Sequence, residues 1–161
     1  MQLSRRSVLT SLILGTAAAR LGLMGKAALA GESFAVTHTD AEWRAMLTPA
    51  QYEVLRHQGT ERAFSSPLLD EHRKGTFACA GCDLPLYSSD TKFDSGTGWP
   101  SFWQPLKGAV GTASDTALSE ARTEVHCSRC GGHLGHVFND GPQPTGLRYC
   151  MDGVAMTFHA A

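Results

Sequence analysis

Five cysteines divide into a set of four and a remainder of one. Cys79-Ala80-Gly81-Cys82 and Cys127-Ser128-Arg129-Cys130 are two Cys-x-x-Cys knuckles far apart in the chain. Such a turn converges its two sulfurs on one side, and two turns together complete a tetrahedron. Four thiolates at about 2.3 Å close a Zn2+ ion off from water, so a structural zinc site on Cys79, Cys82, Cys127 and Cys130 is the expected cofactor. Gly81 and Gly131 are the residues expected to give these turns their backbone freedom. Two disulfides, or one redox-active pair, are the rival readings of the same four sulfurs.

Cys150 is the remainder, in Leu147-Arg148-Tyr149-Cys150-Met151-Asp152. A lone Cys is often only a small buried hydrophobe. On a strand, however, Arg148 shares its face and would favour the thiolate, an able nucleophile. His133-Leu134-Gly135-His136 adds two imidazoles three residues apart. On a strand or loop the two rings need not share a face, which weakens a metal pair. A thiolate working with an imidazole acid–base is the more productive combination. Gly98-Trp99-Pro100-Ser101-Phe102-Trp103 places aromatic rings in a Gly- and Pro-bounded loop. A ring there suits the wall of an apolar pocket, with core packing as the competing explanation.

Short elements must carry these groups. Thr39-Asp40-Ala41-Glu42 opens a predicted helix with Trp43, Met46 and Leu47 on its apolar face, and Thr48-Pro49 opens a second with Tyr52, Val54 and Leu55. Gly59-Thr60 is the expected end of the second. Beyond it, Gly, Asp, Asn and Pro punctuate short runs that read as antiparallel strands: 76–79, 84–87, 123–126, 133–138, 147–151 and 154–158. The fold class is therefore mainly β, one domain over residues 31–161 that opens with two short helices.

Residues 1–30 read as an address. Ser4-Arg5-Arg6-Ser7-Val8-Leu9 is followed by an apolar stretch to Ala19 and by Ala28-Leu29-Ala30, which fits an export signal cleaved after Ala30. Arg20 interrupts the run too early for a membrane span, so no membrane role is expected of the mature form. The adjacent arginines resemble a twin-arginine signal, implying export to the bacterial periplasm after folding; an ordinary secretory signal is the alternative. This segment holds Arg5, Arg6, Arg20 and Lys26 and no acid, so the remainder carries 10 bases against 15 acids, a net of −5. An acidic domain is a poor partner for nucleic acid.

Taken together and in order, Cys79-x-x-Cys82, residues 92–102 (KFDSGTGWPSF), residues 127–142 (CSRCGGHLGHVFNDGP) and Arg148-Tyr149-Cys150 closely resemble the type B methionine-R-sulfoxide reductases. The resemblance spans about residues 40–158. It implies two antiparallel sheets in a small barrel- or tent-like domain steadied by zinc, and reduction of the R epimer of methionine sulfoxide in proteins or peptides. Carried over, Cys150 is the nucleophile, and His133 and His136 bind and protonate the departing oxygen. Asp140 orients them, and Trp99 holds the substrate methyl. Oxidised methionine becomes methionine, and Cys150 becomes a sulfenic acid.

Three positions depart from the family pattern. Thr97 stands where many members carry a resolving Cys, which implies a one-thiol cycle completed by a thioredoxin-like protein or another external thiol. Asp152 stands where Asn is usual, within the catalytic group. Ionised, it could not donate a hydrogen bond, and its charge would raise the thiol pKa. Gly153 replaces a small hydroxyl residue beside it. The rival from another class is a non-catalytic zinc-stabilised β module binding a peptide or small ligand, which has no use for Cys150 or the histidines. A Cys–His hydrolase is disfavoured by the lack of any thiol-protease pattern.

Overall fold

The computed structural model describes residues 33–116 and 121–161; the export signal expected over residues 1–30 lies outside them. Helix α1 (Asp40–Met46) and helix α2 (Pro49–His57) each begin with a full capping box, Thr39 with Glu42 and Thr48 with Gln51. These reciprocal bonds satisfy backbone N–H groups that a short helix otherwise leaves orphaned. Helix α2 ends one residue earlier than expected, because Gln58 takes the left-handed conformation (φ 56) ahead of Gly59. Trp43, Leu47, Tyr52, Val54 and Leu55 are buried as the pattern requires, but Met46 is 55% exposed and belongs to the solvent face.

Among the described residues nine strands follow: β1 Gly75–Cys79, β2 Pro85–Ser88, β3 Lys92–Phe93, β4 Ser101–Phe102, β5 Val110–Asp115, β6 Arg122–Cys127, β7 His133–Phe138, β8 Arg148–Met151 and β9 Met156–Ala160. They form two antiparallel sheets, a three-stranded one ordered β2-β1-β9 and a six-stranded one ordered β3-β4-β8-β7-β6-β5. Among the described residues the edge strands β3 and β5 are not paired to each other, so no barrel closes. The barrel alternative is corrected to a pair of open sheets, because closure needs a last-to-first ladder that is absent here.

Aromatic packing joins the sheets. Tyr87 of the small sheet stacks on Phe102 of the large one at 4.3 Å between ring centroids, and Phe77 meets the same ring edge-on at 4.9 Å. The Tyr87 hydroxyl, fully buried, donates to Met151 Sδ at 3.1 Å, which spares it an unsatisfied polar group. Phe102 and Met151 flank Ser101 and Cys150 in sequence, so this core fixes the strands that carry the lone sulfur.

Candidate active site and thiol cluster

The ladder β4-β8-β7-β6 aligns four residues in one row: Ser101 opposite Cys150, Cys150 opposite His136, and His136 opposite Glu124. Directly opposed residues project to the same face of a sheet. Thus β8 and β7 deliver the thiol and an imidazole side by side. The β6–β7 pairing slips by one residue at Val125/His126, opposite Leu134. Such a bulge cancels half a pleat, and it lets His133 and His136, an odd number of residues apart, bring their rings within 5.3 Å. Gly135 sits in the bulge at φ 144, and a Cβ there would come within 2.2 Å of the Cys150 carbonyl oxygen. Only glycine permits that approach.

A cavity of about 120 Å³ opens over this row, lined by Thr60, Trp99, Arg122, His136, Phe138, Cys150 and Asp152 among others. Cys150, His136, Trp99 and Asp152 therefore meet as expected. His133 does not line it. It lies behind His136, 2% exposed, and borders a second cavity of about 310 Å³ with Gln58 and Glu124. Its Nδ1 is 2.7 Å from Glu124 Oε1, while its buried Nε2 has no hydrogen-bond partner. Burial holds the His133 pKa below the usual value against the opposing pull of Glu124.

The orienting carboxylate is not the expected one. Asp140 receives Arg148 Nε and Nη2, each at 2.8 Å, and touches neither imidazole. The carboxylates that hold the rings are Glu124 on His133 and Asp115, whose Oδ2 is 2.8 Å from His136 Nε2 and also accepts from Arg122 at 2.7 Å. With Nε2 held by Asp115, His136 Nδ1 is left for a ligand. Neither Asp115 nor Glu124 lies inside the motif run, and only the strand register reveals them. Alternation along β6 marks Glu124 as a facing residue once the position of the bulge is known.

Burial raises the Cys150 thiol pKa above its ordinary value; the Thr97 hydroxyl, 3.8 Å from Sγ, and the Arg148 charge work against this, and Asp152 adds to it. The expected help from Arg148 is present but outweighed. Thr97 thus occupies the place beside the sulfur from which a resolving thiol would act, and its hydroxyl is tied to Ser95 at 2.8 Å. Asp152 is 3% exposed, and burial lifts its pKa to about 7. Near neutrality a large share of molecules therefore carries it as the neutral acid, which retains the donor that the ionised form lacks. At Gly153, a Cβ would fall 1.9 Å from Ser66 Oγ, so Ser66 fills the space a side chain there would need.

The other four sulfurs lie within 4.8 Å of one another. Cys79–Cys130 is 3.7 Å and Cys82–Cys127 is 3.5 Å, far longer than the roughly 2.05 Å of a disulfide. Sulfurs at the corners of a tetrahedron with bonds of about 2.3 Å stand about 3.8 Å apart, so the set fits a four-thiolate metal site. Each knuckle closes with the same bond, Asp83 N to Cys79 O at 2.8 Å and Gly131 N to Cys127 O at 2.9 Å. The residue donating it is left-handed in both (φ 56 and 67). In the first knuckle that residue is Asp83 and not Gly81, a correction to the glycine expectation.

Comparison with known proteins bears on the same residues. The SelR domain pattern matches residues 47–160. The chain belongs to the SelR family, the type B methionine-R-sulfoxide reductases. It is 56% identical over 124 residues to a peptide methionine sulfoxide reductase MsrB of Agrobacterium fabrum, covering 76% of this chain and 92% of that one. The MsrB of Thiobacillus denitrificans is 57% identical over 122 residues, covering 75% and 92%. The MsrB of Leptospira interrogans is 53% identical over 127 residues, covering 78% and 97%. The SelR match takes in both knuckles, the Trp99 loop, the histidines and Cys150.

Proposed function

We propose that Cys150 reduces the R epimer of methionine sulfoxide in the cavity it shares with Trp99 and His136. The observation that carries this reading is the direct pairing of Cys150 with His136 across β8 and β7, under one cavity and apart from the four-thiol cluster. The sulfoxide sulfur is electrophilic and its oxygen is a strong acceptor. The Cys150 thiolate attacks that sulfur while His136, held by Asp115, supplies a proton to the oxygen. Oxygen passes to the cysteine, so a thiol and a sulfoxide become a sulfenic acid and a thioether; two electrons move from Cys150 to the substrate. Trp99 provides the apolar wall for the methyl group and so selects the epimer. His133 acts from behind, through its edge contact with His136 and its bond to Glu124.

With Thr97 beside the sulfur and the other four cysteines gathered elsewhere, the sulfenic acid is resolved by an external thiol, thioredoxin-like or small. One thiol forms a mixed disulfide and releases water; a second restores Cys150 and leaves as the disulfide. The ion suited to Cys79, Cys82, Cys127 and Cys130 is zinc, which supplies a closed, redox-inert cross-link and takes no part in turnover. Residues 1–30 direct export by the twin-arginine route to the periplasm. Replacing Arg5 and Arg6 by Lys is expected to hold the protein in the cytoplasm, and fractionation of cells checks it.

The deciding experiment supplies separate R and S epimers of a methionine sulfoxide peptide with dithiothreitol. Conversion of R alone, lost in Cys150→Ser, is the expected result; equal conversion of both epimers, or survival in that variant, overturns it. Retained ligand binding without turnover would favour the zinc-stabilised binding module.

A further inference from the structure

Glu61 stands in the irregular segment after α2, far in sequence from every motif, yet it touches three parts of the site. Its backbone N–H donates to Asp152 Oδ1 at 2.9 Å. Its carboxylate accepts from Gly153 N at 2.5 Å and from Val154 N at 3.2 Å. Its carbonyl accepts the Trp99 indole N–H at 3.1 Å. The residue before it, Thr60, lines the same cavity as Trp99, Cys150 and Asp152.

We propose that Glu61 is a positioning residue: it ties the Trp99 wall to the chain immediately after the nucleophile and so sets the width of the cavity that takes the sulfoxide methyl. The geometry needs this tie. Trp99 sits in a loop bounded by Gly98 at φ 92 and Pro100, outside any strand. Cys150 sits on β8, whose ladder ends at Met151, and the chain leaves it through the turn Gly153–Ala155. Both N–H groups that the Glu61 carboxylate accepts lie in that turn. The clamp is two-sided, since Glu61 receives bonds from the turn and gives one to Asp152 within the same short stretch. The carboxylate keeps both oxygens satisfied by the Gly153 and Val154 N–H groups and so pins the Glu61 main chain, whose carbonyl anchors the indole; its loss strands those donors and lets that main chain shift. Substrate fit is the property that suffers, because a loosened wall misplaces the methyl without touching the sulfur or its proton donor.

The inference rests on the reductase reading, and its test is chosen to separate the two. Glu61→Ala and Glu61→Gln are compared with wild type for kcat and KM on the R-sulfoxide peptide. The indole N–H resonance of Trp99, identified by its absence in Trp99→Phe, is followed in parallel. Glu61→Ala is expected to raise KM by about tenfold with kcat lowered less than about threefold, and to shift the Trp99 resonance. Glu61→Gln, which keeps one carbonyl acceptor, falls between. Wild-type KM and an unmoved indole resonance in Glu61→Ala overturn the proposal. Should that variant fail to fold, the same two readings in Glu61→Gln decide it. Absence of turnover in the wild-type protein overturns the reductase reading instead, and the indole resonance still reports whether Glu61 holds Trp99.

Discussion

The five cysteines occupy two regions that treat the same atom in opposite ways. In the cluster, four sulfurs face one another within 4.8 Å, each pair held on a turn closed by a backbone bond. Arg56 and Arg129 fasten the turns from outside by donating to the carbonyls of Cys130 and Cys82. Cys150 instead lies mid-ladder on β8 with a hydroxyl, a guanidinium and a carboxyl around it and open volume in front. A thiol surrounded by thiols is placed to hold a metal; a thiol beside an imidazole and a cavity is placed to react. What separates the two is the neighbouring groups, since all five are the same residue.

The comparison can be broken first at the cluster. Cys127→Ser removes one corner of the tetrahedron. Metal binding of this kind contributes on the order of 10 kcal/mol, comparable with the whole stability of a small domain. Loss of cooperative thermal unfolding is expected, while Cys150→Ser melts within a few degrees of wild type. Next comes the reaction itself. Cys150→Ser is expected to bring turnover of the R epimer to background with full metal content, measured by metal analysis and product chromatography on one sample.

A smaller effect sharpens the role of the imidazole: His136→Ala should lower kcat by about 10²–10⁴-fold, as loss of a positioned proton donor does, without changing metal content. Smaller still is Asp152→Asn. Burial raises this acid from 3.8 to about 7, so the folded state holds its proton more tightly than the unfolded chain does. That contribution to stability is full below about pH 4 and is lost as pH climbs through about 7. The variant should match wild type near pH 4 and exceed it above pH 7 by an amount on the order of 4 kcal/mol, read from denaturant curves. Its thiolate limb in the pH–rate profile should move to lower pH, because the like charge that raises the Cys150 pKa is gone. The smallest change is Asp140→Asn. Its carboxylate is exposed and bonds Arg148 alone among the groups of the site, so kcat is expected to fall less than about threefold, against a much larger loss for Asp115→Asn.

Much of this is legible in the sequence. Capping boxes, the two knuckles, the Trp99 loop and most strand runs have local causes, and local causes leave local patterns. Strands β3, β4 and β5 are not among the expected runs: β3 and β4 are two residues each, β4 lies inside the stretch read as a loop, and Val110–Asp115 is a largely exposed run with little apolar alternation. The partners of the histidines escaped for a different reason. Asp140 is near them in the motif, yet the chain turns it toward Arg148, while Asp115 and Glu124 arrive through sheet register. Glu61 offered no signal at all, being one acid among fifteen.

The sequence by itself determined the inventory: four sulfurs in paired turns, a fifth apart from them, two imidazoles and an aromatic loop. Residue type and spacing are properties of the chain, and they limit the chemistry to a thiol with an acid–base partner. Tertiary structure decided the assignments, through a single bulge that sets both imidazole rings on one face and through the ladder that puts His136 opposite Cys150. A one-residue slip in register would send that row to the other side of the sheet, and register is settled by packing among strands that no local pattern can see.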